Sequence, residues 1–215
     1  MKALFGGSFN PVHIGHLIVA RDVLETFGLE EIIFVPANIQ PLKGKLMIPA
    51  KVRLKILREA VKLEDRFSVW TYEIEREVKS YTVETLREFH RKYREKPAFI
   101  MGSDSFNSLP LWKEPKEILK LSTLIVVVRP GCPVDIGDVE RKLGTKLKVF
   151  EARFGSKATV KPEFQVIIFR GRSIDISATE IRKRLKSGLP ISYFLPESSE
   201  NVLRRWWKNA LQENV

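Results

Sequence analysis

Cysteine is almost missing from this chain: Cys132 is the only one in 215 residues. No internal disulfide can form, and the reducing cytoplasm is the expected compartment. Long apolar runs are missing too. The longest strongly apolar run, LIVVV at Leu124–Val128, is far too short to span a bilayer. The apolar stretch after Lys2 stops at Gly6, so nothing reads as a signal peptide and no membrane partner is expected. Histidine is scarce as well. His90 is the only one besides His13 and His16, so a metal site built on that pair finds little support and no protein-held metal is expected. Internal repeats, low-complexity segments and Gly/Ser-rich or Arg-rich tails are all lacking.

What is present suits a soluble globular protein, with 44% hydrophobic and 29% charged residues. The length fits one domain, 1–215, with a proper core. The formal net charge is +11. Two readings stay open: a polyanionic partner, whether nucleic acid or a phosphate-rich small molecule, or a generally charged surface such as heat-adapted proteins carry. No nucleic-acid motif appears and the basic residues are spread along the chain, which argues against nucleic acid. A homo-oligomer is left open.

Hydrophobic periodicity alternates strand and helix. Lys2–Phe5 reads as a strand, and His16–Phe27 as a helix stopped by Gly28. Glu31–Ala37 is apolar throughout, as buried parallel strands are. Lys51–Leu63 is an amphipathic helix, Phe67–Ile74 a strand, Thr82–Tyr93 a helix and Ala98–Gly102 a strand. Pro115–Leu121 reads as a short helix and Leu124–Val128 as a fifth strand. Beyond Arg129 the pattern weakens, with a helix at Asp135–Leu143, strands at Leu147–Phe150 and Phe164–Phe169, and a helix at Ala178–Lys186. A final helix spans Ser198–Asn214, with Val202, Leu203, Trp206 and Leu211 near one face packed on the core. The pattern predicts an α/β fold: a Rossmann-like, doubly wound parallel sheet with helices on both faces and a helical C-terminal part.

In such a sheet, ligands bind beyond the carboxyl ends of the strands. The first strand runs into GGSFNPVHIGHL, Gly6–Leu17. Gly6 and Gly7 permit backbone shapes and close approaches denied to other residues. The free N–H groups of the following helix suit a phosphate. The stretch is neither G-x-G-x-x-G nor G-x-x-x-x-G-K-[ST]. Nor is it the nucleophile elbow G-x-S-x-G, because Asn10 stands at the last Gly, so Ser8 is not a nucleophile on this evidence. His13 and His16, three apart, can lie on one side of a helix start as donors or cations facing phosphate oxygens.

GGSFNPVHIGHL resembles the signature of the H-x-G-H nucleotidyltransferase superfamily, through His13, Gly15 and His16. A second motif, ISATEIRKRL at Ile176–Leu185, resembles the family's I-S-S-T-x-I-R. Ser177, Thr179, Ile181 and Arg182 match, while Ala178 lacks a hydroxyl. Taken alone, Ser177 and Glu180 read as a capping box. Three further stretches, SYTVETL, FIMGSDSFNSLPLWKE and VVVRPG, resemble the nicotinate-nucleotide adenylyltransferase branch, so the likeness covers nearly the whole chain.

The resemblance implies AMP transfer from ATP to nicotinate mononucleotide, with pyrophosphate released, in NAD biosynthesis. Magnesium would travel with ATP rather than sit in a protein cage. His13, His16 and Arg182 are the implied catalytic residues. ATP would meet Gly6, Gly7, Ser8, Phe9, His13, Gly15, His16, Ser177, Thr179 and Arg182. On the mononucleotide side, Trp112 would stack on the pyridine ring, the backbone around Thr82 and Lys113 would meet the carboxylate beside Tyr81, and Asp104 would hold ribose hydroxyls. The family's His-Lys after the second strand is Leu42-Lys43 here, so Lys43 would reach a phosphate in competition with Lys45. Nicotinamide mononucleotide and phosphopantetheine are the alternative acceptors. The remaining alternatives are a nucleic-acid-binding protein on the same scaffold, or a catalytically dead nucleotide sensor. Cys132, in RPGCP, reads as a loop residue without a redox role.

Overall fold

The computed structural model describes residues 1–39, 46–76 and 78–212. Among these, seven strands form one sheet: β1 (Lys2–Gly7), β2 (Glu31–Pro36), β3 (Phe67–Val69), β4 (Ala98–Gly102), β5 (Thr123–Val127), β6 (Val149–Arg153) and β7 (Val166–Arg170). Their order is β3-β2-β1-β4-β5-β7-β6, and every neighbouring pair is parallel. The helices between and after them are α1 (Ile14–Phe27), α2 (Ala50–Val61), α3 (Thr82–Tyr93), α4 (Ser103–Asn107), α5 (Pro115–Leu121), α6 (Ile136–Leu143), α7 (Ala178–Lys186) and α8 (Glu197–Gln212).

Both faces of the sheet are covered, and the strands show why. Successive side chains point to opposite faces. Ala3, Phe5, Ala98, Ile100, Ile125, Val127, Ile167 and Phe169 enter one core, with α1, α2, α7 and α8. Leu4, Phe99, Met101, Leu124, Val126, Val166 and Ile168 enter the other, with α3, α5 and α6. A strand buried on both sides has no polar positions to alternate, hence the apolar runs.

The chain leaves β1 toward β2 and β3, then crosses back to place β4 on the other side of β1. That reversal opens a crevice at the carboxyl ends of β1 and β4, where open α/β sheets bind ligands. Glycines permit close packing at its rim. A Cβ on Gly6 would lie 2.7 Å from the Phe99 ring, and one on Gly102 would lie 2.5 Å from Asp104 Oδ1.

Some elements depart from the sequence reading. The predicted strand Phe67–Ile74 ends at Val69. It is an edge strand paired only with β2, and past the Trp70 N–H bond to the Phe34 carbonyl the chain turns, stacking Trp70 on Tyr72 at 5.1 Å between ring centres. α1 begins two residues earlier than predicted, at Ile14, and ends at Gly28 in the left-handed conformation (φ 57°), where its N–H bonds the Leu24 carbonyl. α4 and a 3₁₀ turn, Leu109–Leu111, occupy a stretch without periodicity. β6 and β7 lie about two residues later than predicted, the usual error for strand ends. α8 buries Leu203 and rests Val202 and Trp206 on the core, but Leu211 is exposed. Among the described residues no helix is long and apolar enough to cross a membrane.

Candidate active site

A cleft of about 830 Å³ occupies the crevice. Of the residues the sequence singled out, Gly6, Gly7, Ser8, Phe9, His13, Gly15, His16, Tyr81, Thr82, Asp104, Trp112, Lys113, Ser177, Thr179 and Arg182 all line it. Lys43 and Lys45 lie outside the described residues.

The loop after β1 is pinned at both ends of Phe9. Its ring is buried against Phe5 and Phe34, with centroids 5.7 and 5.6 Å away. Its backbone takes a positive φ of 41°, a conformation costing a non-glycine residue about 1–3 kcal/mol that surrounding structure must enforce. A Cβ on Gly7 would lie 3.0 Å from the Phe9 ring, so glycine there lets the ring tuck beneath the loop. The loop then enters α1 through His13 as N-cap.

His13 and His16 face each other with ring centres 3.7 Å apart. The His13 backbone N–H donates to His16 Nδ1 at 3.3 Å. A neutral His16 therefore carries its proton on Nε2. Burial, reinforced by the Arg129 charge, pushes His13 down to about 4. Burial first, then His13 and Arg129, pushes His16 well below the usual histidine range. In the free protein burial thus keeps both rings neutral hydrogen-bonding groups at pH 7, donors rather than cations before any anion is bound. His13 Nδ1 is buried without a hydrogen-bond partner among the described residues.

Those shifts carry a stability prediction. The unfolded chain protonates both histidines near pH 6.5, while folded His13 stays neutral to about pH 4. Between those values the unfolded state binds more protons, so stability falls as pH falls. For His13 the loss amounts to on the order of 3 kcal/mol across that window. Urea midpoints measured from pH 7 to pH 4 will fall more steeply for the wild type than for a His13→Asn/His16→Asn variant. Parallel slopes would refute the neutral pair.

The second motif closes the same side of the cleft from α7. Ser177 is its N-cap, its hydroxyl accepting from the Glu180 N–H at 3.1 Å. Only this half of the predicted capping box forms. The Glu180 carboxylate lies instead toward Arg184, one turn along the helix, at 4.0 Å. Thr179 and Arg182 do share a face, joined at 2.9 Å. The other arm of Arg182 donates to the Asn10 carbonyl at 2.7 Å, so the two motifs touch across 172 positions of sequence. Ala178, the departure from the family pattern, offers a methyl group to the cleft.

The opposite side is built at the start of α3. Tyr81 is its N-cap, its carbonyl taking the Glu84 N–H at 3.0 Å, and the Thr82 and Val83 N–H groups have no acceptor inside the helix. Lys113 lies 4.7 Å over the Tyr81 ring and pairs with Glu84 at 2.8 Å, drawing the segment of Trp112 and Lys113 against this helix start. The Trp112 indole N–H donates to Ser108 Oγ at 3.2 Å, which fixes the edge of a half-buried ring. Asp104, in the first turn of α4, pairs with Arg129 at 3.4 Å and remains exposed.

Several residues at the site were not assigned a role from sequence. Arg129 lines the cleft and follows β5, so the rule that ligands lie beyond strand ends could have found it. Asn10 anchors Arg182 through its carbonyl, and its side chain accepts from the Ile48 N–H at 3.1 Å. Glu73 accepts from Thr85 Oγ1 at 2.5 Å and braces the start of α3, while burial pushes its carboxyl up. Arg172 pairs with buried Asp22 at 3.1 Å, tying the irregular segment after β7 to α1. Nothing local in the sequence marks these last two. Among the described residues no cluster of three or more His, Cys, Asp or Glu side chains is placed to hold a metal ion.

The cleft thus lies at the strand-order switch of a parallel sheet, with the α1 and α7 starts on one side and the α3 start on the other. The cytidylyltransferase-like family model matches residues 4–184. A protein named "Probable nicotinate-nucleotide adenylyltransferase" from Aquifex aeolicus (strain VF5) is 42% identical over 181 residues, which is 84% of this chain and 100% of that protein. One of the same name from Clostridium botulinum (strain Kyoto / Type A2) is 36% identical over 217 residues, covering 100% of this chain and 98% of its own. In fold, the chain resembles the Plasmodium falciparum nicotinic acid mononucleotide adenylyltransferase complexed with NaAD, with a TM-score of 0.67 and 15% identity over 95% of each chain. The chain belongs to the cytidylyltransferase-like family, within its nicotinate-nucleotide adenylyltransferase branch.

Proposed function

We propose that this protein transfers AMP from ATP to nicotinate mononucleotide, giving nicotinate adenine dinucleotide and pyrophosphate, as a single cytoplasmic nucleotidyltransferase unit over 1–215. The observation that carries this reading is the division of the cleft. One side joins the α1 and α7 starts with the His13–His16 pair and Arg182. The other joins the α3 start to Trp112.

The acceptor is a phosphate monoester, already ionised near neutral pH, so its oxygen needs no general base. That oxygen bonds to the α-phosphorus of ATP, and the bond from α-phosphorus to the bridging oxygen breaks, releasing pyrophosphate. The task is to hold two polyanions together and stabilise the charge of the transition state, which is positioning plus electrostatics. His16, with its proton on Nε2, is assigned to the α-phosphate. His13 and Arg182 are assigned to the triphosphate, with the Phe9 N–H and the hydroxyls of Ser8, Ser177 and Thr179. Gly6, Gly7 and Gly15 keep the backbone close. Arg129 adds a cation to the same space. Magnesium enters with ATP and takes phosphate oxygens and water as ligands.

For the acceptor, Trp112 stacks on the pyridine ring and Asp104 holds ribose hydroxyls. Free N–H groups near Thr82 and Lys113, beside Tyr81, suit a carboxylate, because a donor pair discriminates against an amide that offers its own N–H. Both substrates are small molecules. The dispersed positive charge needs no nucleic-acid partner.

The test is pyrophosphate release from ATP and magnesium with nicotinate or nicotinamide mononucleotide. Release with nicotinate at least about tenfold above that with nicotinamide is expected from one lost charge-assisted contact. Equal release would remove the carboxylate assignment and keep the chemistry. Release with neither would overturn the reading.

A further inference from the structure

Arg53 heads the fully buried side chains by size, at 1% exposure. It sits on α2, whose other basic residues face solvent or its edge. Its guanidinium meets no carboxylate among the described residues, and burial alone brings it down to about 10, so it remains charged at neutral pH. Three backbone carbonyls take its donors instead: Ser8 from Nη1 at 2.6 Å, Ile48 from Nε at 3.2 Å and Asn38 from Nη2 at 3.4 Å. A buried cation without a counter-charge is costly to a fold, and packing alone does not account for it.

The shortest of the three contacts points to its use. Asn10–Pro11 is the only cis peptide among the described residues, so Ser8–Phe9 is trans. In a trans peptide the C=O and N–H point in opposite directions. The Ser8 carbonyl points inward to Arg53, which does not line the cleft. The Phe9 N–H therefore points outward, on the side where Ser8 and Phe9 form the cleft wall, and no acceptor among the described residues takes it. The peptide dipole lies with its positive end toward the cleft and a guanidinium behind its negative end. The positive φ of Phe9 and its buried ring hold the other half of the turn.

We propose that Arg53 is a positioning residue for the triphosphate site: it holds the Ser8 carbonyl inward so that the Phe9 N–H faces the cleft as a phosphate donor, backed by a buried charge. The inference rests on the triphosphate reading of this side of the cleft. It adds a residue outside the cleft, on a different helix, whose charge acts through one peptide unit.

Full-length Arg53→Gln and Arg53→Lys proteins provide the test, with inorganic pyrophosphate as the probe in calorimetric titration and steady-state kinetics beside it. Arg53→Gln is expected to weaken pyrophosphate binding about tenfold and raise the KM for ATP by a similar factor, the scale of one charge-assisted contact. The KM for nicotinate mononucleotide stays within about twofold, since that side of the cleft does not depend on the Ser8–Phe9 peptide. Arg53→Lys, which keeps the charge but not the fork, falls between wild type and Arg53→Gln. A folded Arg53→Gln protein with wild-type pyrophosphate affinity overturns the proposal, as does an equal rise in both KM values. Should Arg53→Gln fail to fold, Arg53→Lys decides alone: weaker pyrophosphate binding at unchanged mononucleotide KM supports the role, and unchanged binding refutes it. Absence of turnover in the wild type with either mononucleotide would sink the transfer reading, while the pyrophosphate titration would still judge Arg53.

Discussion

Replacing His16 by alanine is expected to lower kcat by roughly 10² to 10³, the cost of losing one donor aimed at developing transition-state charge. The donor is neutral and preorganised. Its Nδ1 is held by the His13 N–H, and the Phe9 ring lies 5.2 Å from its own. A neutral donor avoids the desolvation that an imidazolium would require in so buried a place. The loss should therefore fall on kcat more than on the KM for ATP, because the ground-state triphosphate keeps its other contacts. Stopped assays of pyrophosphate release, on protein whose circular dichroism and thermal midpoint match the wild type, make the measurement. A folded variant with unchanged kcat would remove His16 from the reaction.

Arg182→Ala is expected to have the other large effect, lowering kcat/KM for ATP by about 10²-fold, the scale of losing one preorganised donor aimed at phosphate charge, because the half-buried guanidinium is held by hydrogen bonds on both arms. Two losses combine. The fork that would meet the triphosphate disappears, and the Asn10 carbonyl loses its donor, freeing the loop that carries the α1 start. Arg182→Lys should recover only part, because a single ammonium nitrogen lacks the two-armed fork that reaches Asn10 through Nη1 and Thr179 through Nη2. Initial-rate kinetics with each substrate varied will show the change mainly in ATP parameters. A deficit confined to nicotinate mononucleotide would place Arg182 on the wrong side of the cleft.

Local pattern made the sheet legible. β1, β2, β4 and β5 are buried on both faces, so they read as apolar runs with little competition from other periods. The edge was harder. β3 pairs on one side only, and aromatic contacts at Trp70 end it where its alternation would continue. At the site, residues within the two end motifs or beside strand ends were visible, because glycines, histidines and a capped helix start have few other reasons to occur together. Supporting residues were not. Arg53 lies within KVRLKILREAV, where a basic residue on an amphipathic helix looks solvated, and only its placement under the Ser8 carbonyl separates it from Lys51 or Lys55. The charge state of the histidine pair was equally hidden, since it follows from burial and from an Arg129 that arrives from more than a hundred residues away.

The contact between Arg182 and the Asn10 carbonyl has a consequence for when the protein becomes competent. Closing a contact between positions 172 apart costs more loop entropy than local contacts do, so it is expected late, after local helices and neighbouring strands have formed. Residues 1–39 can assemble the first strand, loop and helix early, yet the phosphate-facing wall stays half built until residue 182 has been synthesised and docked. Partly made chains would thus carry a nucleotide-shaped pocket with only half its grip on the polyanionic tail. Competence arrives only once α7 has docked on the first loop.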